Sequence, residues 1–339
     1  MKPMETNSKP RCHVFGPVPS RRLGRSLGVD LVPFKTCTYD CIYCQLGHTT
    51  NQTVERKEWV PMDAVLDELK RKLACRPDYI TLSGSGEPTL HSRLGEIIEH
   101  IQAMTKIPVA VLTNGSLLWQ KEVREQVALA DVVLPSLDAG DSFKFGFINR
   151  PHADLAFEQV VEGLIEFRSE FTGQYWLEVF LLGGHTAIEA DVRKLAAWVR
   201  RIRPDRVQLN TVARPPAEDF AAGVSPEALE KFARHFNPPA EVVAERTSRL
   251  SHKPVKLDSD AVLDLLRRRP CTAQQVARGL GLNQLEILKW LEALAARGDI
   301  ETSRHEGDIY YRASAIPSGH PPETSSRFPN KRTLNARTS

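Results

Sequence analysis

The sequence predicts an α/β fold, a parallel sheet covered by helices, followed by a small helical module that ends in a β-hairpin. Three observations predict it. Short runs rich in Val, Ile and Leu alternate with amphipathic stretches of helical period along residues 27–236. Continuous apolar runs of this kind suit strands buried on both faces, as parallel strands are. Beyond Pro238-Pro239 the pattern changes to three helical stretches and two strand-like pieces. Finally, three cysteines crowd into the loop directly after the first apolar run, where a β/α architecture places its working residues.

The chain has 339 residues, enough for a barrel-sized unit and a second domain. Apolar residues at 41% and charged residues at 26% are ordinary for a globular protein. A formal charge of +3 is too small to argue for nucleic acid by itself. Residues 1–10 are polar and lack an apolar core, so no signal peptide is expected. No run approaches the roughly 18 apolar residues that would span a bilayer. Six cysteines, half of them crowded together, indicate metal binding in a reducing cytoplasm rather than a disulfide framework.

Residues 1–13, polar and containing Pro3 and Pro10, are expected to be disordered. Residues 15–28 hold Gly16, Gly24 and Gly28, Pro17 and Pro19, and Arg21, Arg22 and Arg25, which predicts an irregular cationic loop. A first strand over 27–32 leads into the cysteines. Helix and strand then alternate: helix 61–74, strand 79–82, helix 91–104, strand 109–112, helix 117–129, strand 132–134, helix 154–169, strand 175–182, helix 187–201, strand 206–211 and helix 226–236. The barrel-like unit is placed at 14–237 and a linker at 238–256. A winged-helix-like domain follows at 257–313, and a disordered tail at 314–339.

Cys37, Cys41 and Cys44 are separated by three and two residues. Thiolates are soft ligands suited to zinc, copper(I) or an iron–sulfur cluster. Structural zinc wants four protein ligands, and only His48 lies near enough in sequence to be a fourth. A [4Fe–4S] cube on three thiolates leaves one iron free to bind a small molecule. A zinc knuckle usually pairs one C-x2-C with another elsewhere, and a disulfide leaves one of the three thiols over. Cys12, Cys75 and Cys271 are dispersed along the chain and read as ordinary thiols.

The strand ends carry the other candidates. In the loop from Ser83 to Leu90, Gly84 and Gly86 allow close backbone approach, and Glu87 can pair with an ammonium; alone, such a loop is also a plain turn. Asn114, Ser136 and Asp138 end the next two strands with short polar groups suited to hydroxyls, although Asn114-Gly115 also reads as a turn. Glu178 sits inside an apolar strand, so it must be paired or face the lumen. Arg21, Arg22, Arg25, Arg150 and Arg214 are available for a phosphate, a carboxylate or structural partners.

Together, the C-x3-C-x2-C triad with Tyr43 before its last Cys, the Gly-Ser-Gly-Glu loop and the six β/α units resemble the radical S-adenosylmethionine (radical SAM) superfamily. The stretches 16–28, 37–47 and 84–90 look most like small Fe–S oxidoreductases similar to the wyosine-base (4-demethylwyosine) synthase group. The resemblance covers residues 14–237. It implies a partial (β/α)6 barrel with a [4Fe–4S] cluster on Cys37, Cys41 and Cys44. SAM would then be held by Tyr43, Gly84, Gly86, Glu87, Asn114, Ser136, Asp138 and Glu178. It implies also that an electron from a flavodoxin- or ferredoxin-like donor cleaves the S–C5′ bond, and that the 5′-deoxyadenosyl radical takes a hydrogen from a substrate. No catalytic side chain is assigned. The archaeal wyosine synthases carry extra N-terminal cysteines for a second cluster, whereas only Cys12 precedes the triad here.

In the C-terminal stretch, a helix spans 258–268, and Thr272-Ala273-Gln274-Gln275 and Asn283-Gln284-Leu285-Glu286 open two more as capping boxes. Strands at 299–303 and 308–312 complete a winged-helix-like pattern. Its third helix bears Glu286 and Glu292 beside Lys289, less basic than a groove-reading helix. The module is therefore expected to dock RNA or protein through Tyr310, Tyr311 and Arg312, apart from the cleavage machinery. The competing reading is an Fe–S redox sensor that binds nucleic acid through this module. It explains the triad and the module but not the strand-end loops.

Overall fold

A computed structural model describes residues 12–243, 259–280, 282–305 and 307–314. Apart from Cys12, His13 and Ser314, the two segments expected to be disordered lie outside the described residues, as does the linker after residue 243.

The cationic stretch after His13 is a hairpin rather than an irregular loop. Strand β1 (Val14–Ser20) pairs antiparallel with β2 (Gly24–Val29). Proline is tolerated because β1 is an edge strand, and its register shifts between Phe15 and Val18, around Pro17. The Ser20 hydroxyl closes the turn by accepting from the backbone of Arg22 and Leu23 at 3.3 and 3.1 Å.

After the short pair β3 (Thr36–Cys37) and β4 (Asn51–Gln52), the main sheet continues with β5 (Tyr79–Leu82), β6 (Val109–Thr113) and β7 (Val132–Pro135). It ends with β8 (Gln174–Leu181), β9 (Arg206–Thr211) and β10 (Glu241–Val242). The order is β1-β2-β5-β6-β7-β8-β9-β10, and every pairing from β2 onward is parallel. Strand β10 falls in the segment the sequence suggested as linker; it extends the sheet with Val242 opposite Leu209.

The helices are α1 (Met62–Lys72), α2 (Leu94–Met104), α3 (Lys121–Val127), α4 (Ser142–Ile148), α5 (Phe157–Glu170), α6 (Glu189–Ile202) and α7 (Pro226–Ala233). Helix α4 had no counterpart in the sequence reading. It is short, and Asp141 caps it by accepting from Lys144 N at 2.9 Å. Strand residues Leu27, Ile80, Val109, Val133, Leu177 and Leu209 pack fully buried against Leu69, Ile98, Leu164 and Leu195 of the helices. Each such side chain is worth about 1.5–3 kcal/mol of burial. This is the partial (β/α)6 barrel the sequence predicts, with an antiparallel strand added at one edge.

The C-terminal unit comprises α8 (Ser259–Arg268), β11 (Cys271–Thr272), α9 (Ala273–Leu280), α10 (Gln284–Ala296), β12 (Ile300–His305) and β13 (Asp308–Ala313). Its strands order β11-β13-β12, one strand more than the sequence suggests. Thr272 and Gln275 bond reciprocally at 3.2 and 3.3 Å, the capping box that was read from the sequence. Val262, Leu266, Val276, Ile287 and Leu291 form its own core, against which Val18 of β1 packs.

The unit is anchored to the barrel rather than set apart from it. Arg268 stacks over Phe15 at 4.7 Å and donates to the Cys12 carbonyl and to the Asp30 carboxylate. Tyr310 Oη donates to the Ala213 carbonyl at 3.1 Å.

Candidate active site

The chain leaves β2 through Leu31 and Val32 and enters the cysteine loop at the C-terminal end of the sheet. Cys37 ends β3, while Cys41 and Cys44 lie on tight turns, with Cys44 N donating to Cys41 O at 3.1 Å. Each sulfur has a side-chain N–H donor within reach. Lys35 Nζ lies 3.2 Å from Cys44 Sγ, Asn114 Nδ2 3.6 Å from Cys37 Sγ, and Asn149 Nδ2 3.6 Å from Cys41 Sγ. Burial, and next the Glu87 charge, push the Cys37 thiol up to about 12. Burial and Asp138 likewise raise Cys41. Thiolates here are costly until a cation offsets them, which is the condition of a metal-binding loop.

Among the described residues no three His, Cys, Asp or Glu side chains converge closely enough to hold a single metal ion. His48, the one nearby fourth ligand, instead faces Asp40 at 3.2 Å and Glu218 at 3.9 Å. A cube spreads its ligands wider, because each thiolate binds a different iron. Three soft sulfurs, each supplied with a hydrogen-bond donor, suit such a cluster.

Glu87 is 2% exposed and anchors the next loop. Its Oε1 accepts from Thr89 N (3.1 Å), Thr89 Oγ1 (2.7 Å) and Thr113 Oγ1 (2.6 Å), and its Oε2 from Asn114 N (2.8 Å). Oε2 keeps a lone pair for one further donor. Burial raises its pKa and these neutral hydrogen bonds oppose the rise, so a cation would complete its environment. Gly84 and Gly86 serve close packing within the protein. A Cβ on Gly84, at φ +153°, would meet the Asp30 carboxyl carbon at 2.8 Å, and one on Gly86 would fall on the Thr36 carbonyl.

Asp138 is buried and its oxygens face the cysteine loop. They accept from Tyr43 Oη, from Asn149 Nδ2 at 2.9 Å and from Phe180 N at 3.2 Å. Tyr43 stacks on Phe180 with centroids 4.0 Å apart. Tyr43 and Asp138 therefore hold the loop in place. Asn114 does so too, through Thr38 Oγ1 at 2.7 Å. Ser136 is half-buried and makes no side-chain hydrogen bond among the described residues, which leaves its hydroxyl available. Glu178 takes the paired alternative, since its Oε2 accepts from Arg22 Nη1 and from Asn210 Nδ2 at 3.4 Å.

Sequence reasoning missed Lys35, Asn149, Asp30 and Arg268. Lys35 stands two residues before the first Cys, and a cation so close to three thiols in sequence is a readable signal. The others had none. Asp30 accepts from Ser85 N at 3.0 Å and from Ser85 Oγ, and it pairs with Arg268 at side-chain exposures of 4% and 10%. The C-terminal unit thus reaches the loop that presents Glu87, although the sequence sets that unit apart from the site.

A model of the radical SAM superfamily matches residues 31–199. Among characterised and curated proteins, the chain is 38% identical over 303 residues to one named GTPase Obg from Brachyspira hyodysenteriae. That match covers 88% of this chain but 45% of the relative, so the chain spans less than half of that protein. It is 36% identical over 243 residues to a UPF0026 protein of Methanocaldococcus jannaschii, covering 70% of this chain and 74% of the other. A solved radical SAM methyltransferase from Sphaerobacter thermophilus is 18% identical, at a TM-score of 0.48 over 67% of this chain and 68% of that one.

Proposed function

The chain belongs to the radical SAM superfamily and, within it, to the UPF0026 proteins, and from that premise we propose that it generates a radical from SAM to take hydrogen from a substrate that is RNA or protein. As a member it is a radical SAM enzyme, with SAM and a [4Fe–4S] cluster as its cofactors. The observation that carries the proposal is the set of three thiols on one loop, each with its own N–H donor, and beside Cys37 the buried Glu87 carboxylate, which pairs with no cation among the described residues. No described helix is long and apolar enough to cross a membrane.

Cys37, Cys41 and Cys44 would hold the cluster, which when bound supplies the electron that cleaves SAM. Lys35, Asn114 and Asn149 would stabilise its sulfurs. Glu87 would accept from the methionine ammonium through Oε2, and Ser136 would meet a ribose hydroxyl. Tyr43, Asp138 and Phe180 keep the loop rigid, so the cofactor pocket is shaped before it fills. The electron comes from an external donor of the flavodoxin or ferredoxin kind, and the setting is cytoplasmic. The C-terminal unit, winged-helix-like in its element order, would contribute to substrate docking.

The test is anaerobic reconstitution of the full chain followed by dithionite and SAM. 5′-Deoxyadenosine should form, and the Cys37→Ala/Cys41→Ala/Cys44→Ala variant should lose the iron and the absorption near ~400 nm. Four irons retained in that variant would sink the assignment. Comparative mass spectrometry of tRNA and protein from cells with and without the chain identifies the substrate.

A further inference from the structure

We propose that Arg268, in the C-terminal unit, is a positioning residue for both loops of the active site, so that this unit helps set SAM affinity and cluster potential. The inference rests on the active-site assignment above and deepens it. Arg268 ends α8. Its Nη1 donates to Asp30 Oδ2 and, at 3.3 Å, to Ser85 Oγ. Ser85, 2% exposed, grips Asp30 twice, through its N on Oδ1 at 3.0 Å and through its hydroxyl on Oδ2. Guanidinium, carboxylate and hydroxyl thus close a buried triangle in the loop that presents Glu87.

Ser85 passes that constraint in two directions. Toward the proposed SAM ligand, only Gly86 separates it from Glu87, and Gly86 is wedged against the Thr36 carbonyl. Toward the cluster, the Ser85 carbonyl accepts from Lys35 N at 2.7 Å. Lys35 is buried at φ +60°, a left-handed conformation that costs a residue with a Cβ about 1–2 kcal/mol. Bonds on both sides hold it there, since its own carbonyl accepts from Thr50 N at 3.2 Å and Asn51 N at 3.1 Å. From this turn its Nζ reaches Cys44 Sγ. One line of contacts therefore runs Arg268, Asp30, Ser85, Lys35, Cys44, and a branch of two residues ends at Glu87.

The guanidinium is itself held in place. It lies over Phe15 at 4.7 Å and its Nη2 donates to the Cys12 carbonyl, so groups of the barrel unit set the plane that carries Nη1. The Asp30 side chain is 4% exposed, and its ion-pair partner among the described residues is Arg268. A carboxylate so enclosed, once left without its cation, must draw in water or take a new partner. Either change frees Ser85 to turn, and with it the carbonyl that holds Lys35. A role confined to joining the two units would lower stability and leave both loops as they are.

The test uses the reconstituted full chain below the melting temperature of every variant. SAM affinity is read by anaerobic equilibrium dialysis and the cluster midpoint by redox titration. Arg268→Ala should weaken SAM about tenfold, within the usual range of coupling between sites, and lower the midpoint, as loss of the Lys35 donor does. Arg268→Lys keeps charge without the planar fork, so it should fold and still weaken SAM, by a smaller factor. Added to Asp30→Asn, the Arg268→Ala change should cost no further affinity, because the link it acts through is already cut. Val18→Ala trims the packing between the units and leaves the Arg268–Asp30 pair in place, so it should lower Tm with SAM affinity unchanged. Wild-type affinity and midpoint in both Arg268 variants overturn the proposal. So does a loss of affinity in Val18→Ala equal to that in Arg268→Ala, or an Arg268→Ala effect that is undiminished in the Asp30→Asn background. Failure of the radical assignment reads differently, as wild-type protein that binds no SAM and forms no 5′-deoxyadenosine.

Discussion

Gly86→Ala tests how the two halves of the site are joined. The added Cβ would fall on the Thr36 carbonyl oxygen, 2.7 Å from its carbon and 3.0 Å from Val32 Cγ2. Carbon atoms settle at about 3.5–4.0 Å, so the loop and β3 must part by roughly 1 Å. That movement also breaks the bond from Glu87 N to Thr36 O, now 3.2 Å. Overpacking costs about 1–3 kcal/mol and the lost bond about 1 more. Together these correspond to a fall in Tm of roughly 5–15 °C. Thr36 precedes Cys37 and Gly86 precedes Glu87, so the parts displaced are a cluster ligand and the proposed SAM ligand. Iron bound per chain after reconstitution should fall with Tm. Gly47→Ala is the control. It lies in the same cysteine loop at φ +83° with nothing within 4 Å of the new Cβ, so it carries only a backbone penalty of about 1–2 kcal/mol. Equal melting temperatures and equal iron in the two variants, by calorimetry and metal analysis, would refute the reasoning.

Asn149→Ala and Lys35→Met each remove one donor to a sulfur, so the reduced cluster should lose stabilisation and its midpoint should drop by on the order of tens of millivolts; a redox titration followed by paramagnetic resonance reads this, and unchanged midpoints would assign both residues to packing alone. Arg268→Ala strands the buried Asp30 carboxylate beneath Ser85, with a cost of about 3–5 kcal/mol. A chain ending near Lys256 loses the same partner and should bind SAM more weakly; undiminished SAM affinity in equilibrium dialysis would restore the C-terminal unit to a purely docking role. In the cluster-free protein, burial pushes Asp138 up to about 6, so between about pH 4 and 6 the folded state keeps a proton that the unfolded chain releases. Its contribution is full below that window and is lost as pH rises through 6. Denaturant melts of Asp138→Asn should therefore show a flatter decline across this window than wild type, and parallel profiles would contradict that origin.

What the sequence determined by itself was whatever is local in the chain. The spacing of Cys37, Cys41 and Cys44 lies within one loop, and the alternation of apolar strands with amphipathic helices repeats at short period, so both could be read before any contact was known. The same holds for Glu87 behind its glycines and for the Thr272–Gln275 cap. Only the tertiary structure decided what each polar group is spent on. Asn149 meets a sulfur 108 residues away, and Arg268 meets a carboxylate 238 residues away, with no periodicity to announce either. Asp138, a candidate for ribose from its strand-end position, is turned onto Tyr43 and Asn149 because the packing of Tyr43 on Phe180 leaves that phenol facing it. Glu178 is neutralised by Arg22 because the stretch read as a loop folds back as an edge hairpin. A buried charge takes its role from whichever partner desolvation forces upon it, and that partner is chosen by the packing of elements far apart in the chain.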